Sequence, residues 1–189
     1  MGNCRGGSVK RAIFLDRDGV LNDNVLNPST GEYEAPLTPE QFVLLPGVLE
    51  SLRMLRAADY LLFLVSNQPN YAKGKASMKT LDEIHSKLEA VLKKENITFA
   101  AFYYCHHHPE FTGHCACRKP SPYFLHEAND KFAVCLADSW MVGDRASDIA
   151  CGNAAGTRTV RISNSSEIDP DASYTVADLR SATQCILGD

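Results

Sequence analysis

Nowhere in the 189 residues is there an apolar run long enough to cross a bilayer; Tyr60 to Val65 is only strand-sized. The opening MGNCRGGSVKR lacks the apolar stretch of a secretory signal. Gly2 and Cys4 invite an acylation reading, but Gly6 occupies the position where Ser or Thr is required. Charge of one sign is also scarce. A formal net charge of -4 gives no general electrostatic case for nucleic acid or an anionic membrane as partner. We find no internal repeat, low-complexity segment or linker. The cysteine count, seven, is odd, and without a secretory stretch it argues against a disulfide framework. What is present, 44% hydrophobic and 22% charged residues, is ordinary for a soluble globular chain long enough to bury a core. The expectation is a cytoplasmic monomer with one domain over residues 1–189.

Short apolar runs alternate with helical patterns. Arg11 to Leu15 reads as a buried strand that stops abruptly at Asp-Arg-Asp-Gly. Residues 22–46 read as a long loop, and Pro46-Gly47 opens a helix with Val48, Leu52 and Leu55 on one face. Tyr60 to Val65 is a second strand, ending in Ser-Asn-Gln. A long helix follows, with Thr80-x-x-Glu83 as a capping box and Leu81, Ile84, Leu88, Val91 and Leu92 as its stripe. Ala100 to Tyr104 is a third strand, Pro122 to Phe132 a helix, and Trp140 to Val142 a strand ending at Gly143-Asp144. Ala146 to Ala155 reads as a helix ending near Gly156, Thr157 to Ile162 as a strand, Tyr174 to Val176 as an edge strand, and a last helix starts near Asp178. Continuously apolar strands alternating with helices predict an α/β fold with a Rossmann-like parallel sheet covered on both faces.

Ligands of such sheets bind at the carboxyl ends of the strands, so the polar residues that follow each strand carry the argument. Asp16-x-Asp18-Gly19 follows the first strand, Ser66-Asn67-Gln68 the second, and Gly143-Asp144-x-x-x-Asp148 the fourth, while Arg118-Lys119-Pro120 follows the third strand and its loop. Carboxylates gathered at one point repel each other and need a hard, oxygen-preferring cation, which means Mg²⁺. The cation also lets an anionic carboxylate approach a phosphate, and Lys119 with the Ser66 hydroxyl would hold charge spreading onto the equatorial oxygens. A lone Asp-x-Asp-Gly is a common turn, and Gly-Asp-x-x-x-Asp alone is often a solvated helix start. An EF-hand is excluded because the twelfth-position Glu is missing. The order and spacing of all four pieces together point to phosphoryl transfer.

Cys105, Cys115 and Cys117 cluster with histidines, unlike the scattered Cys4, Cys135, Cys151 and Cys185, which read as small buried or partly buried residues. Cys105-x-His107 and Cys115-x-Cys117 form two close pairs across a short loop, enough for a tetrahedral structural Zn²⁺ site. His106, His107, His108 and His114 all compete for the fourth position. The loop, residues 105–117, runs directly into Arg118-Lys119, so a metal there would fix the lysine. A non-enzymatic zinc module that binds a partner through this loop would leave Asp16, Asp18, Lys119 and Asp144 unexplained.

Taken together, Phe14-Leu-Asp-Arg-Asp-Gly-Val-Leu-Asn22, Ser66-Asn-Gln68, Cys117-Arg-Lys-Pro120 and Gly143-Asp-Arg-Ala-Ser-Asp148 resemble the haloacid dehalogenase superfamily of phosphatases. Within it the chain is similar to the branch of heptose-bisphosphate and histidinol-phosphate phosphatases, over about residues 11–162. The resemblance implies Asp16 as nucleophile and Asp18 as acid and base. It further implies Ser66, Asn67 and Lys119 on the transferring phosphoryl group, with Arg118 and Arg145 on substrate anions. Mg²⁺ would be held by Asp16, the Asp18 backbone carbonyl and Asp144, with Asp148 behind them. The family's Cys-Pro-His-His-Pro pattern favours His107 as fourth zinc ligand beside Cys105, Cys115 and Cys117, although His106 replaces the proline here. The implied reaction removes the 7-phosphate of D-glycero-D-manno-heptose 1,7-bisphosphate, with histidinol phosphate or another small sugar phosphate as the alternative. Neither insertion point holds enough residues for a large cap domain. A mutase or phosphotransferase of the same fold would normally need such a cap to exclude water.

Overall fold

A computed structural model describes residues 10–28, 31–165 and 167–188. Gly2, Cys4 and Gly6 lie outside them. The order of elements is β1 (Arg11–Leu15), β2 (Val25–Leu26), β3 (Tyr33–Glu34), α1 (Val48–Ala57), β4 (Tyr60–Asn67), α2 (Met78–Lys94) and β5 (Ala101–Cys105). There follow α3 (Pro109–Thr112), α4 (Tyr123–Phe132), a short 3₁₀ turn (Leu136–Asp138), β6 (Trp140–Gly143), α5 (Ala146–Ala155), β7 (Arg158–Ile162), β8 (Tyr174–Val176) and α6 (Leu179–Gly188).

Six strands form one parallel sheet in the order β5-β4-β1-β6-β7-β8. Its two faces divide the core. Ile13, Leu15, Leu62 and Leu64 pack against Leu52 and Leu55 of α1, Ile84 and Leu88 of α2, and Ala182 and Ile186 of α6. Ala12, Phe14, Phe63 and Val65 point the other way, onto Leu125 and Ala128 of α4 and Cys151 and Ala155 of α5. Alternate residues of one strand are thus apolar on both sides, which is why these strands read as continuous apolar runs.

Two expectations need correcting. The helix α2 does not begin with a Thr80–Glu83 capping box. Ser77, in an extended conformation, caps it instead, its Oγ accepting the Thr80 N–H at 3.1 Å, and Glu83 lies 3.8 Å from Lys79 one turn back. The loop over residues 22–46 contains a small antiparallel pair, β2 with β3, tied to the next loop by Lys75 Nζ to Glu34 at 2.6 Å. Of the scattered cysteines, Cys135 and Cys151 are buried and Cys185 is partly buried, as that reading has them; Cys151 and Cys185 are free, while Cys135 is engaged in a disulfide.

Candidate active site

The chain leaves β1 toward β4 and β5, then returns to the other side of β1 with β6. That reversal opens a crevice at the carboxyl end of β1, and the strand-end residues meet there. Asp16, directly after β1, is locked to β6 by its N–H donating to the Val142 carbonyl at 3.0 Å. Gly19 turns the chain back at a φ of 80°. A Cβ there would come within 2.4 Å of Asp144 Oδ2, so only glycine lets this turn lie against the β6 end. Gly143 has the same function for Asp148, whose Cβ a side chain would meet at 2.2 Å.

Asp16, Asp144 and Asp148 bring carboxylate oxygens within 4.8 Å of one another. Lys119 stands among them, fully buried, with Nζ 2.9 Å from Asp16, 2.7 Å from Asp148 and 2.6 Å from the Val65 carbonyl. Burial opposes the lysine charge, but Asp148 and Asp16 outweigh it and hold its pKa above the ordinary value. The Asp144 carboxyl has no such partner. Burial, then the Asp16 and Asp148 charges, push it up to about 7, and its Oδ1 is buried without a hydrogen bond. One lysine for three carboxylates leaves uncompensated negative charge with oxygen donors converging on one point, which suits a hard dication.

The other expected residues stand around this centre in different ways. Asp18 lies outside the carboxylate cluster, turned to Arg17 at 3.0 Å. Ser66 is buried and its Oγ accepts from Gln68 at 3.0 Å. The Asn67 amide is engaged at both ends by the Lys119 backbone, at 3.1 Å each, which pins the lysine loop to the end of β4. Arg118 donates to the His107 carbonyl at 3.1 Å, and the exposed Arg145 starts α5, where its N–H bonds Asp148 at 2.9 Å. Asp16, Asp18, Asn67, Lys119, Arg118 and Arg145 line one cavity of about 240 Å³, walled by Tyr33 and Glu34 of β3. Lys73 and Lys75 complete its basic side. A larger cavity of about 550 Å³ reaches Asp144 from the far side of Tyr33, but its charged lining is acidic, with Asp23 and Asp178.

Beside the lysine loop, Cys105, His107, Cys115 and Cys117 form a second group that could hold a metal. Their sulfurs lie 3.3 to 3.6 Å apart, and His107 Nδ1 is 3.6 Å from Cys117 and 3.8 Å from Cys105. A tetrahedron with Zn–S bonds of about 2.3 Å has edges of about 3.8 Å, so the set is close to the size zinc requires. Burial pushes the Cys105 thiol up to about 12 and raises Cys117. Cys115 instead falls below its ordinary value, its own burial outweighed by the Arg118 N–H and the neighbouring thiols. The other histidines go elsewhere. His108 Nδ1 accepts from Glu110 N at the start of α3, His114 is exposed, and His106 Nδ1 is buried away from the cluster.

Residues 116–182 match the HAD-hydrolase-like family model. The chain is 34% identical over 156 residues to the D-glycero-beta-D-manno-heptose-1,7-bisphosphate 7-phosphatase of Vibrio cholerae, covering 80% of each. It is 32% identical to that of Pasteurella multocida over 95% of this chain and 98% of the other. The chain belongs to the HAD-like hydrolase family of these phosphatases. Among solved structures, the D,D-heptose 1,7-bisphosphate phosphatase of B. bronchiseptica, complexed with magnesium and phosphate, superposes with a TM-score of 0.80 at 28% identity, covering 94% of this chain and 98% of that one. Reading the sequence missed Arg17 and the role of Gln68, both buried against Asp18. A charged residue inside a turn motif reads as solvated, and nothing in a single sequence pairs residue 17 with residue 68.

Proposed function

We propose that this HAD-like phosphatase is magnesium-dependent and removes the 7-phosphate of D-glycero-D-manno-heptose 1,7-bisphosphate, acting as a single domain with a zinc-stapled loop. The observation that carries the reading is the meeting of Asp16, Asp144, Asp148 and Lys119 at the end of β1. The names of the relatives support the substrate, and the magnesium and phosphate of the B. bronchiseptica enzyme support the cation. Asp16, Asp144, the Asp18 backbone carbonyl and Asp148 behind them would hold Mg²⁺, which supplies charge neutralisation for the approach of carboxylate to phosphate.

An Asp16 oxygen attacks phosphorus, the bond to the C7 oxygen breaks, and Asp18 gives that oxygen its proton. Water then attacks the aspartyl-phosphate, passing a proton to Asp18 and freeing phosphate and Asp16. Lys119 stays charged, held up by Asp148 and Asp16, and neutralises the transferring group, to which Ser66 and Asn67 would donate hydrogen bonds. The anomeric phosphate would rest on the basic side of the smaller cavity, with Lys73, Arg118 and Arg145, because the acidic larger cavity repels it. Cys105, His107, Cys115 and Cys117 would hold a structural zinc that fixes the approach to Lys119.

A phosphate-release panel tests this, using heptose 1,7-bisphosphate, fructose 1,6-bisphosphate and histidinol phosphate with and without Mg²⁺. The expected result is magnesium-dependent release that is fastest from the heptose. Preference for histidinol phosphate would transfer the protein to the neighbouring branch.

A further inference from the structure

Between the nucleophile and the acid sits a residue for which the proposed reaction has no use. Arg17 is 1% exposed and among the largest fully buried side chains of the described chain. Its Nη2 donates to Asp18 Oδ1 at 3.0 Å, to Asp18 Oδ2 at 3.2 Å and to Gln68 Oε1 at 2.9 Å, and its Nε donates to Asp18 Oδ1 at 3.2 Å. Gln68 closes the ring by donating Nε2 to Asp18 Oδ2, and Asn22 Nδ2 donates to Oδ1 at 3.0 Å. Behind the guanidinium lies a separate cavity of about 130 Å³, where the Tyr104 phenol stands against it. That phenol is held in turn by His85 Nδ1 at 3.0 Å.

The site therefore has two cations with different duties. Lys119 contacts Asp16 and Asp148 but not Asp18, whereas the Arg17 hydrogen bonds to carboxylates all fall on Asp18. Burying a guanidinium is costly unless its charge and donors are matched, and the planar fork matches a carboxylate in two directions at once. The fork fixes the plane of Asp18. Three donor contacts reach Oδ1 and two reach Oδ2, so both oxygens are held and the carboxyl cannot rotate without breaking several hydrogen bonds.

We propose that Arg17 is a positioning residue for proton transfer, which with Gln68 holds the Asp18 carboxyl in the plane it needs to meet the leaving-group oxygen and never itself touches substrate. The inference rests on Asp18 being the acid and base. Proton transfer matters for an alkoxide leaving group and little for p-nitrophenolate, so the two substrates separate aim from folding.

The test compares kcat/KM of Arg17→Met, Arg17→Lys, Gln68→Met and Asp18→Asn on the sugar bisphosphate and on p-nitrophenyl phosphate, because kcat/KM reports the steps up to aspartyl-phosphate formation and not the hydrolysis that both substrates share. We expect Arg17→Met to lose about 100-fold in kcat/KM on the sugar substrate and only a few-fold on p-nitrophenyl phosphate, and all losses below are in kcat/KM. Arg17→Lys should recover part of the loss, and Gln68→Met, which keeps the Arg17–Asp18 pair, should lose about tenfold with the same selectivity. Added to Asp18→Asn, Gln68→Met should cost less than about twofold more. Equal losses on both substrates, or full additivity with Asp18→Asn, would overturn the positioning assignment and leave Arg17 a structural ion pair. If Arg17→Met does not fold, as judged by near-ultraviolet circular dichroism, Gln68→Met alone decides by the same two criteria. Equal loss on both substrates by Asp18→Asn itself would instead remove the acid–base reading on which the inference stands.

Discussion

Asp16, the proposed nucleophile, is held in place from two sides: one backbone hydrogen bond fixes it to β6, and a buried lysine lies 2.9 Å from its oxygen. Asp16→Asn should therefore fold and lose turnover by at least about 1,000-fold, since an amide is a poor nucleophile toward phosphorus. Retention of activity within tenfold would contradict the assignment. Lys119→Met makes the complementary case. It leaves Asp16 and Asp148 buried without their cation, and urea unfolding should show a loss of about 3–5 kcal/mol, reduced when Mg²⁺ is added. A stability unchanged in either condition would show that the lysine charge does not hold the cluster. Asp16, Asp144 and Lys119 are legible in the amino-acid sequence because each follows an apolar run, directly or after one loop. Arg17 and Gln68 are not, because their pairing crosses 51 positions and uses buried charge, which no hydrophobic pattern announces.

Among the elements, the sequence concealed the β2–β3 pair, as it did the short α3 and 3₁₀ turn. Two strands of two residues each are too short for a period-two signal, and the pair is tied by its turn, by Asn27 to Glu34 and by the clasp to Lys75. Burial acts against the Glu34 charge, yet hydrogen bonds from Lys75 and Asn27 outweigh it and hold its pKa below the usual value. A lowered carboxylate contributes stability above its unfolded pKa and loses it as pH falls through the lowered folded value. Glu34→Gln should accordingly change global stability by less than about 1 kcal/mol, because the pair is partly exposed. It should nevertheless raise KM more than it lowers kcat, because β3 walls the substrate cavity. A kcat loss without a KM change would show that the wall does not serve binding. The lysine loop was easier to read, since thiols and imidazoles grouped at short spacing leave few alternatives to a metal. Only the choice among four histidines needed geometry. Cys115→Ser should lower zinc from about one per chain and raise KM through Lys119, while far-ultraviolet circular dichroism stays constant. Equal zinc content in variant and parent by elemental analysis would contradict the site.

For the whole molecule, alternating apolar runs and helical stripes were enough to predict a parallel sheet covered on both faces. Tyr174–Val176 read as an edge strand and lies at one edge as β8, but the rest of the strand order was not readable, because the other strands looked equally buried. Only the pairing of β1 with both β4 and β6 reveals the reversal that brings Asp16 and Asp144 together. That crevice is open, with a cavity of mixed charge, basic on the side of Lys73, Arg118 and Arg145, and an acidic one beyond Tyr33. A terminal CH₂–O–phosphate reaches Asp16 more easily than a phosphate crowded by ring hydroxyls, while the remote phosphate can bind outside on Lys73, Arg118 and Arg145. Binding energy at that distance helps position the reacting end. The most direct measurement is phosphorus NMR of D-glycero-D-manno-heptose 1,7-bisphosphate incubated with the protein and Mg²⁺. The account predicts inorganic phosphate together with heptose 1-phosphate, and no such products without Mg²⁺. Accumulation of the 7-phosphate, or a bisphosphate left intact, would contradict it.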